Sequence, residues 1–343
     1  MIHKLLLLSS LLLLMTQLSH GQYSQLQLGD TTKAEYPYIL PLLGEKAYEK
    51  GFDLPKPVGL MLNYFWASQD VVISEIAVGF EGAVEGGVLE EIPLTDISEI
   101  IEFEEVHAVA NSITVRPDVW IFPFLNLYGI VGKTFATTSV KLSSPVQMAS
   151  VAELDGFSYG MGTTGAFGLG KYFLVLDGNW VWTKMSNFED PVQSRVFSQR
   201  LGRAFHIGDK PESNVAFWVG GMRLKMGNIT QGTIVLNEVL PPETWDRRDE
   251  IVANYWTWYD GLGPLDPMKV VANNVLTPIV NNLEHANGEG TVEYRLLKEP
   301  KQEWNVIIGG QYQFNKSWQF RAEGGIIGNR KSLLLSLNYR FGV

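Results

Sequence analysis

A chain of 343 residues without one cysteine can hold no disulfide, no thiolate metal site and no cysteine nucleophile, so its fold rests on burial and hydrogen bonding. Its net charge of −10 lacks the basic footprint that nucleic-acid binding needs. Aromatics at 12% and 34 glycines suit long strands and tight turns better than helical bundles.

The first element is an export signal. Lys4 precedes an apolar run from Leu5 to Met15, broken only by Ser9 and Ser10, and a polar stretch leads to Gly21. The run is shorter than the roughly 20 residues that span a hydrocarbon core, so 1–21 reads as a cleaved signal peptide rather than an anchor. Residues 22–56 follow as an N-terminal arm or plug. Tyr36-Pro37-Tyr38 and Leu54-Pro55-Lys56-Pro57 bracket a short helical stretch there.

From 57 to 343 the dominant signal is period-two alternation. Leu60, Leu62, Tyr64 and Trp66 alternate with Gly59 and Asn63, and a weaker strand covers 71–80. The stretch 81–106 then carries nine acids and no Lys or Arg. Glu90, Glu91, Asp96 and Glu99 are its candidate ligands for a divalent cation, which prefers carboxylate oxygens. The spacing lacks the Asp/Asn-Gly loop of a dedicated calcium site, and a solvated acidic loop is the plainer reading. Nothing calls for an organic cofactor.

Ile113, Val115, Val119 and Ile121 oppose Ser112, Thr114, Arg116 and Asp118, with Pro117 implying a bulge or edge. Weaker strands at 124–142 and 155–169 lead to Leu174, Leu176, Trp180 and Trp182 alternating with Asp177, Asn179 and Thr183. After a strand at 192–207, Ala216, Trp218, Met222, Leu224 and Met226 alternate with Gly221, Arg223 and Lys225. An insertion at 237–289 has a helical run, Glu243–Tyr259, and then Val271, Val275, Ile279 and Leu283 at four-residue spacing. It reads either as a plug within a lumen or as a helical cap on one rim. A short strand is possible at 291–298, and three clean strands, 304–314, 318–326 and 332–341, form a closing meander. The expected fold is all-β: an antiparallel transmembrane β-barrel of about 10–12 strands with helical plug or cap segments.

Alternation does not say which stripe faces inward, since a soluble barrel shows the same pattern reversed. The polar stripe here is charged, the strands are long enough to cross a bilayer on a tilt, and Tyr64, Trp66, Trp304, Trp318 and Tyr339 gather at strand ends as an interfacial girdle would. The apolar stripe is therefore expected to face lipid. The lumen candidates are Arg116, Asp118, Asp177, Arg195, Arg200, Arg203, Arg223, Lys225, Arg321, Glu323 and Arg340. Those charges either attract an anion or pair with one another to fill the bore. Counted back from the C-terminus, 81–106 and 237–289 both fall at the same end as that terminus, where long loops do not normally lie, so either the count is off by one or these segments fold inward.

The segment Leu333-Leu334-Leu335-Ser336-Leu337-Asn338-Tyr339-Arg340-Phe341 resembles the final strand of Gram-negative outer-membrane β-barrel proteins, here followed by Gly342 and Val343. The resemblance implies outer-membrane location, contact with outer-membrane lipid and insertion by the barrel-assembly machinery. Catalysis is not legible. The histidines beyond the signal are His107, His206 and His285, and none has a serine at nucleophile–base spacing on its own strand. The expected function is a narrow or plugged pore for a small solute, with a non-conducting structural or surface-interaction barrel as the alternative and a lipid-modifying enzyme less favoured than either.

Overall fold

The computed structural model describes residues 36–343 apart from 53, 82, 85–86, 89–91, 146, 170, 187, 189, 208–211, 227–228, 236–244 and 286–290. In chain order the elements are α1 (Gly44–Glu49), β1 (Val58–Glu81), the short β2 (Ala83–Val84) and β3 (Gly87–Val88), β4 (Ile92–Asp96), β5 (Glu102–Phe122) and β6 (Leu125–Ser144). There follow β7 (Met148–Leu169), β8 (Tyr172–Met185), β9 (Val192–His206), β10 (Asn214–Met226) and β11 (Ile229–Val235). A helical stretch holds α2 (Arg248–Gly261), α3 (Pro267–Val271), a π-helical turn (Ala272–Leu276) and α4 (Thr277–His285). The chain ends with β12 (Thr291–Pro300), β13 (Trp304–Gln313), β14 (Trp318–Gly325) and β15 (Arg330–Phe341).

Ten strands close an antiparallel ring: β1, β5, β6, β7, β8, β9, β10, β13, β14 and β15, which returns to β1. Closure follows from sequence, because strands greasy on one face and polar on the other can bury one face and leave no edge only by curling shut. The seam pairs Val58 with Phe341 on one side and with Val119 on the other.

The strand β1 does two jobs. Its first half belongs to the ring, whereas Val71–Glu81 leave it to pair with β12, with a register shift between Ile73 and Glu75. β4 and β11 complete this side sheet. The segments expected as separate strands at 60–66 and 71–80 are thus one strand, and 291–298 lies off the ring. Removing that one strand from the count reverses the side of everything upstream. The described parts of 81–106 and 237–289 therefore lie at the end opposite the C-terminus, and of the two alternatives it is the strand count that is off by one. The C-terminal end instead carries the short connections after β5, β7, β9 and β13, the common arrangement for outer-membrane barrels.

The helical insertion packs against the side sheet rather than within the bore. Val252 and Tyr255 of α2, with Ala272, Leu276 and Val280, bury against Ile97 and Ile100, and Ile76 and Val78 of β1 border the cluster. The stripe that packs keeps four-residue spacing, and the side chains of Val271, Val275, Ile279 and Leu283 lie outside those described. This is the cap arrangement. Asp266 caps α3 by accepting from the Met268 N–H, with Pro267 in the first helical turn. The described part of the N-terminal arm lies at the C-terminal end of the barrel, where Leu42 N–H donates to Ile121 O and Lys56 Nζ to Ser317 Oγ at 2.6 Å.

The two faces of the wall are inside-out relative to a soluble barrel. Leu62, Ile113, Phe157, Leu201, Phe217 and Leu337 are exposed on the outside. Ser158, Ser198, Asn305, Ser336, Asn338 and Arg340 are buried on the inside.

Candidate functional site

Three inward aromatics pave the inner wall. Tyr128, Phe173 and Trp218 lie opposite Gly162, Gly202 and Gly309 across the neighbouring strands. A Cβ placed on those glycines would come within 2.3, 2.3 and 2.7 Å of the facing rings. Each ring lies over a bare stretch of backbone, which explains why glycine recurs at strand positions where it is otherwise unfavourable. Phe173 and Trp218 join Trp120, Ala166, Val175 and Ala216 in a buried cluster inside the barrel.

Charges cross-link the bore beside this cluster. Glu323 on β14 accepts from Arg200 Nε and Nη2 at 2.6 and 2.9 Å, from Arg321 Nη2 at 2.8 Å and from Trp218 Nε1 at 2.7 Å. Arg200 and Glu323 side chains are 9% and 4% exposed, so this bidentate pair spans the bore almost without water. On the other wall Arg116 stacks over the Tyr128 ring at 3.3 Å and donates to Thr164 Oγ1. Tyr128 and Thr164 both donate to Asp177. Nearer the termini, Arg340 donates to Asp118 at 3.0 Å and to the carbonyl of Lys56, while Asn126 Nδ2 donates to Asp118. Arg200 and Arg321 share Glu323, Arg340 meets Asp118, and Arg116 rests on Tyr128 beside Asp177, so both signs are interleaved rather than forming a ring of one sign.

Two cavities flank this layer. A small one of about 140 Å³ lies on the terminal side and is bordered by Leu54 and Pro55 of the arm. A chamber of about 410 Å³ opens on the other side. Arg116, Asp177, Arg200 and Arg321 line both, which makes the charged layer the partition between them. The chamber walls are mainly apolar, with Phe65, Leu154, Met185, Met222, Leu224 and Met226 among them. At its far mouth Tyr294 of β12 meets Phe188 edge-on at 6.2 Å, and Lys298 of the same strand also lines the chamber.

Of the expected lumen residues, Arg116, Asp118, Asp177, Arg200, Arg321, Glu323 and Arg340 line the bore. Arg195 and Arg203 do not. They share a face with exposed Phe197, Leu201 and Phe205, while Ser198 and Arg200 point inward. Arg203 packs over Phe205 at 4.8 Å, and Arg195 donates to Gln193. Strand β10 is turned over relative to expectation. Trp218, Met222, Leu224 and Met226 face the bore, and Arg223 and Lys225 face out, Arg223 pairing with Glu303 at 2.6 Å. The physical reason is that an inner wall holding an apolar chamber and an outer rim holding charges invert the usual stripe toward that end of the barrel.

Sequence reading missed Arg330, which is 2% exposed and donates to the Met222 carbonyl. It stands in a turn-like Gly-Asn-Arg string, where arginine ordinarily points to water. Among the proposed cation ligands, Glu90 and Glu91 lie outside the described residues, and Glu99 is exposed. Asp96 accepts from the Ser98 N–H and hydroxyl, and these bonds hold its carboxyl below the usual range. Its lone pairs serve a turn. No cluster of three metal-ligating side chains occurs among the described residues.

No protein-family model matches the chain, and no curated protein is similar to it in sequence. Solved structures similar in fold include the β domain of the Bordetella autotransporter BrkA, with 8% identity and a TM-score of 0.38 over 83% of this chain and all of that one. The outer membrane protein OprG from Pseudomonas aeruginosa aligns at 8% identity and a TM-score of 0.37, covering 84% of this chain and 98% of its own. The translocator domain of the autotransporter NalP from Neisseria meningitidis aligns at 10% identity and a TM-score of 0.35, over 86% and 92% of the two chains.

Proposed function

We infer that this chain is an outer-membrane barrel that takes a small, largely apolar solute into its chamber from the end opposite the termini, and that the charged layer blocks free passage of ions. The observation that carries this reading is the abrupt change along one bore, from methionine and leucine walls to a charged partition in which Arg200 and Arg321 share the buried Glu323. An apolar pocket with a few convergent polar groups is the usual form of a small-molecule site. Methionine walls adapt to more than one shape.

Two measurements test it. Planar bilayers holding the refolded protein should show no discrete openings, whereas Arg200→Ser with Glu323→Ser should produce them. A small apolar fluorophore such as N-phenylnaphthylamine should bind saturably, and Met222→Asp with Leu224→Asp should abolish that binding while the protein keeps its heat-modifiable mobility. Ion-conducting openings in the unaltered protein, or dye uptake indifferent to the chamber substitutions, would refute the assignment.

A further inference from the structure

A second site lies on the outside of the wall, remote from the bore. Ser68 and Asp70 sit two residues apart on β1, on the face that also carries Leu60, Leu62, Tyr64 and Trp66. Asp70 pairs across the strand with His107 of β5. The Ser68 hydroxyl lies 2.9 Å from His107 Nε2, and His107 Nδ1 lies 3.1 Å from Asp70 Oδ1. The nucleophile and the carboxylate therefore engage opposite nitrogens of one imidazole, the connectivity that lets a histidine take a serine proton while a carboxylate fixes its tautomer.

This arrangement has little value as a structural device. The His107 and Asp70 side chains are 35% and 38% exposed, and a solvent-accessible polar contact of this kind contributes at most about 1 kcal/mol. Each group could be solvated separately at no cost. Position supplies the reason for a site instead. The trio stands where β1 leaves the ring, immediately beyond the apolar stripe that ends in Tyr64 and Trp66. Leu333 and Leu337 continue the stripe on β15, and Lys331 is the cross-strand partner of Ser68 there, on the same outer face. Side chains paired this way stand about 5 Å apart at their Cβ atoms, so a cation flanks the serine on the side away from His107. A lipid whose chains lie along the stripe would bring its ester carbonyls to this height.

We propose that Ser68, His107 and Asp70 form an acyl-ester hydrolase site at the outer membrane–water interface, acting on long-chain acyl esters of lipids in the surrounding leaflet. Ser68 Oγ attacks the ester carbonyl and its proton passes to His107 Nε2. The tetrahedral oxyanion faces Lys331. Collapse breaks the bond to the alkoxy oxygen, which leaves as an alcohol with the proton from His107. Water, deprotonated by the same imidazole, then attacks the acyl-serine and releases a carboxylic acid and the free serine, so the net reaction is ester plus water to acid plus alcohol. Ser68 and His107 are the catalytic residues. Asp70 is a positioning residue, acting through the imidazole.

The test uses the full mature protein refolded into detergent–lipid mixtures, with release of fatty acid measured from glycerophospholipid vesicles, from lipopolysaccharide aggregates and from a water-soluble acetate ester. A fluorophosphonate probe reports the serine directly by forming an Oγ–phosphorus bond as fluoride leaves. Release from either lipid, with probe attached at Ser68, supports the proposal, and the lipid that responds identifies the source of the ester. Ser68→Ala and His107→Asn should each lower the rate by about 10³-fold or more while leaving heat-modifiable mobility intact. Asp70→Asn should lower kcat with KM little changed, and Asp70→Glu should restore part of it. Lys331→Met should lower kcat and Lys331→Arg should recover it. The proposal is overturned by lipid hydrolysis that survives Ser68→Ala, by cleavage confined to the soluble ester, or by the absence of both probe labelling and acid release from the folded protein.

Discussion

Replacing Glu323 by glutamine tests whether the partition is a closed charge network. The carboxylate accepts four hydrogen bonds, three from guanidinium groups and one from an indole, at 2.6 to 2.9 Å, with only 4% of the side chain exposed. Glutamine keeps one acceptor oxygen and turns the other position into a donor aimed at donors, leaving Arg200 and Arg321 without their counter-charge. Breaking a buried pair from one side costs about 3–5 kcal/mol, because the remaining charge stays desolvated. For a urea m-value of roughly 2 kcal/mol/M, the unfolding midpoint in lipid vesicles should fall by about 2 M. Tryptophan fluorescence follows the transition, with Trp218 as a local reporter. The control is Glu303→Gln on the outer rim, whose partner Arg223 is 45% exposed, and there the loss should stay within about 1 kcal/mol. Equal midpoints for the two variants would mean that water reaches Glu323 freely and that the bore is not partitioned.

Gly309→Ala should destabilise by about 1–3 kcal/mol, because its Cβ would enter the Trp218 ring, and a cycle with Trp218→Ala should remove most of that penalty. Burial brings Lys298 down to about 8, so its amine should be acylated by amine-directed reagents with a midpoint near pH 8, well below surface lysines near pH 10.4. Because its neutral form is favoured in the folded state, its contribution to stability should rise with pH between those two values, and a flat profile after Lys298→Met would match this origin. Trypsin added to intact cells should cut at Arg247 or Arg248, which lie in the insertion at the end opposite the termini, and protection there combined with cleavage from the inner side would reverse the orientation.

The closing meander could be read from sequence because Leu333, Leu335 and Leu337 face lipid along their whole length, so one stripe carries one meaning. Strand β10 could not, since Leu224 and Met226 line a chamber while Lys225 faces out at the rim, and hydrophobicity alone ranks the two faces in the wrong order. The network around Glu323 was legible as a set of charges but not as a set of partners. Arg200 reaches Glu323 across 123 positions of chain, and only register fixes such a meeting. The trio on the outer wall escaped for the same reason. A search for serine beside His107 on its own strand finds nothing suitable, while Ser68 lies 39 positions away and arrives through pairing of β1 with β5.

The seam has a consequence for how the molecule is made. Its two sides, Val58 of β1 and Phe341 of β15, flank every other ring strand in sequence, so the cylinder cannot be completed until all ten strands have been delivered. Until then the first and last strands each present a row of bare amides and carbonyls, which hydrocarbon does not tolerate. An unfinished chain must therefore be sheltered or stay in water, and shortening it by its final dozen residues should leave a sheet with nowhere to insert, whatever the quality of the other nine staves.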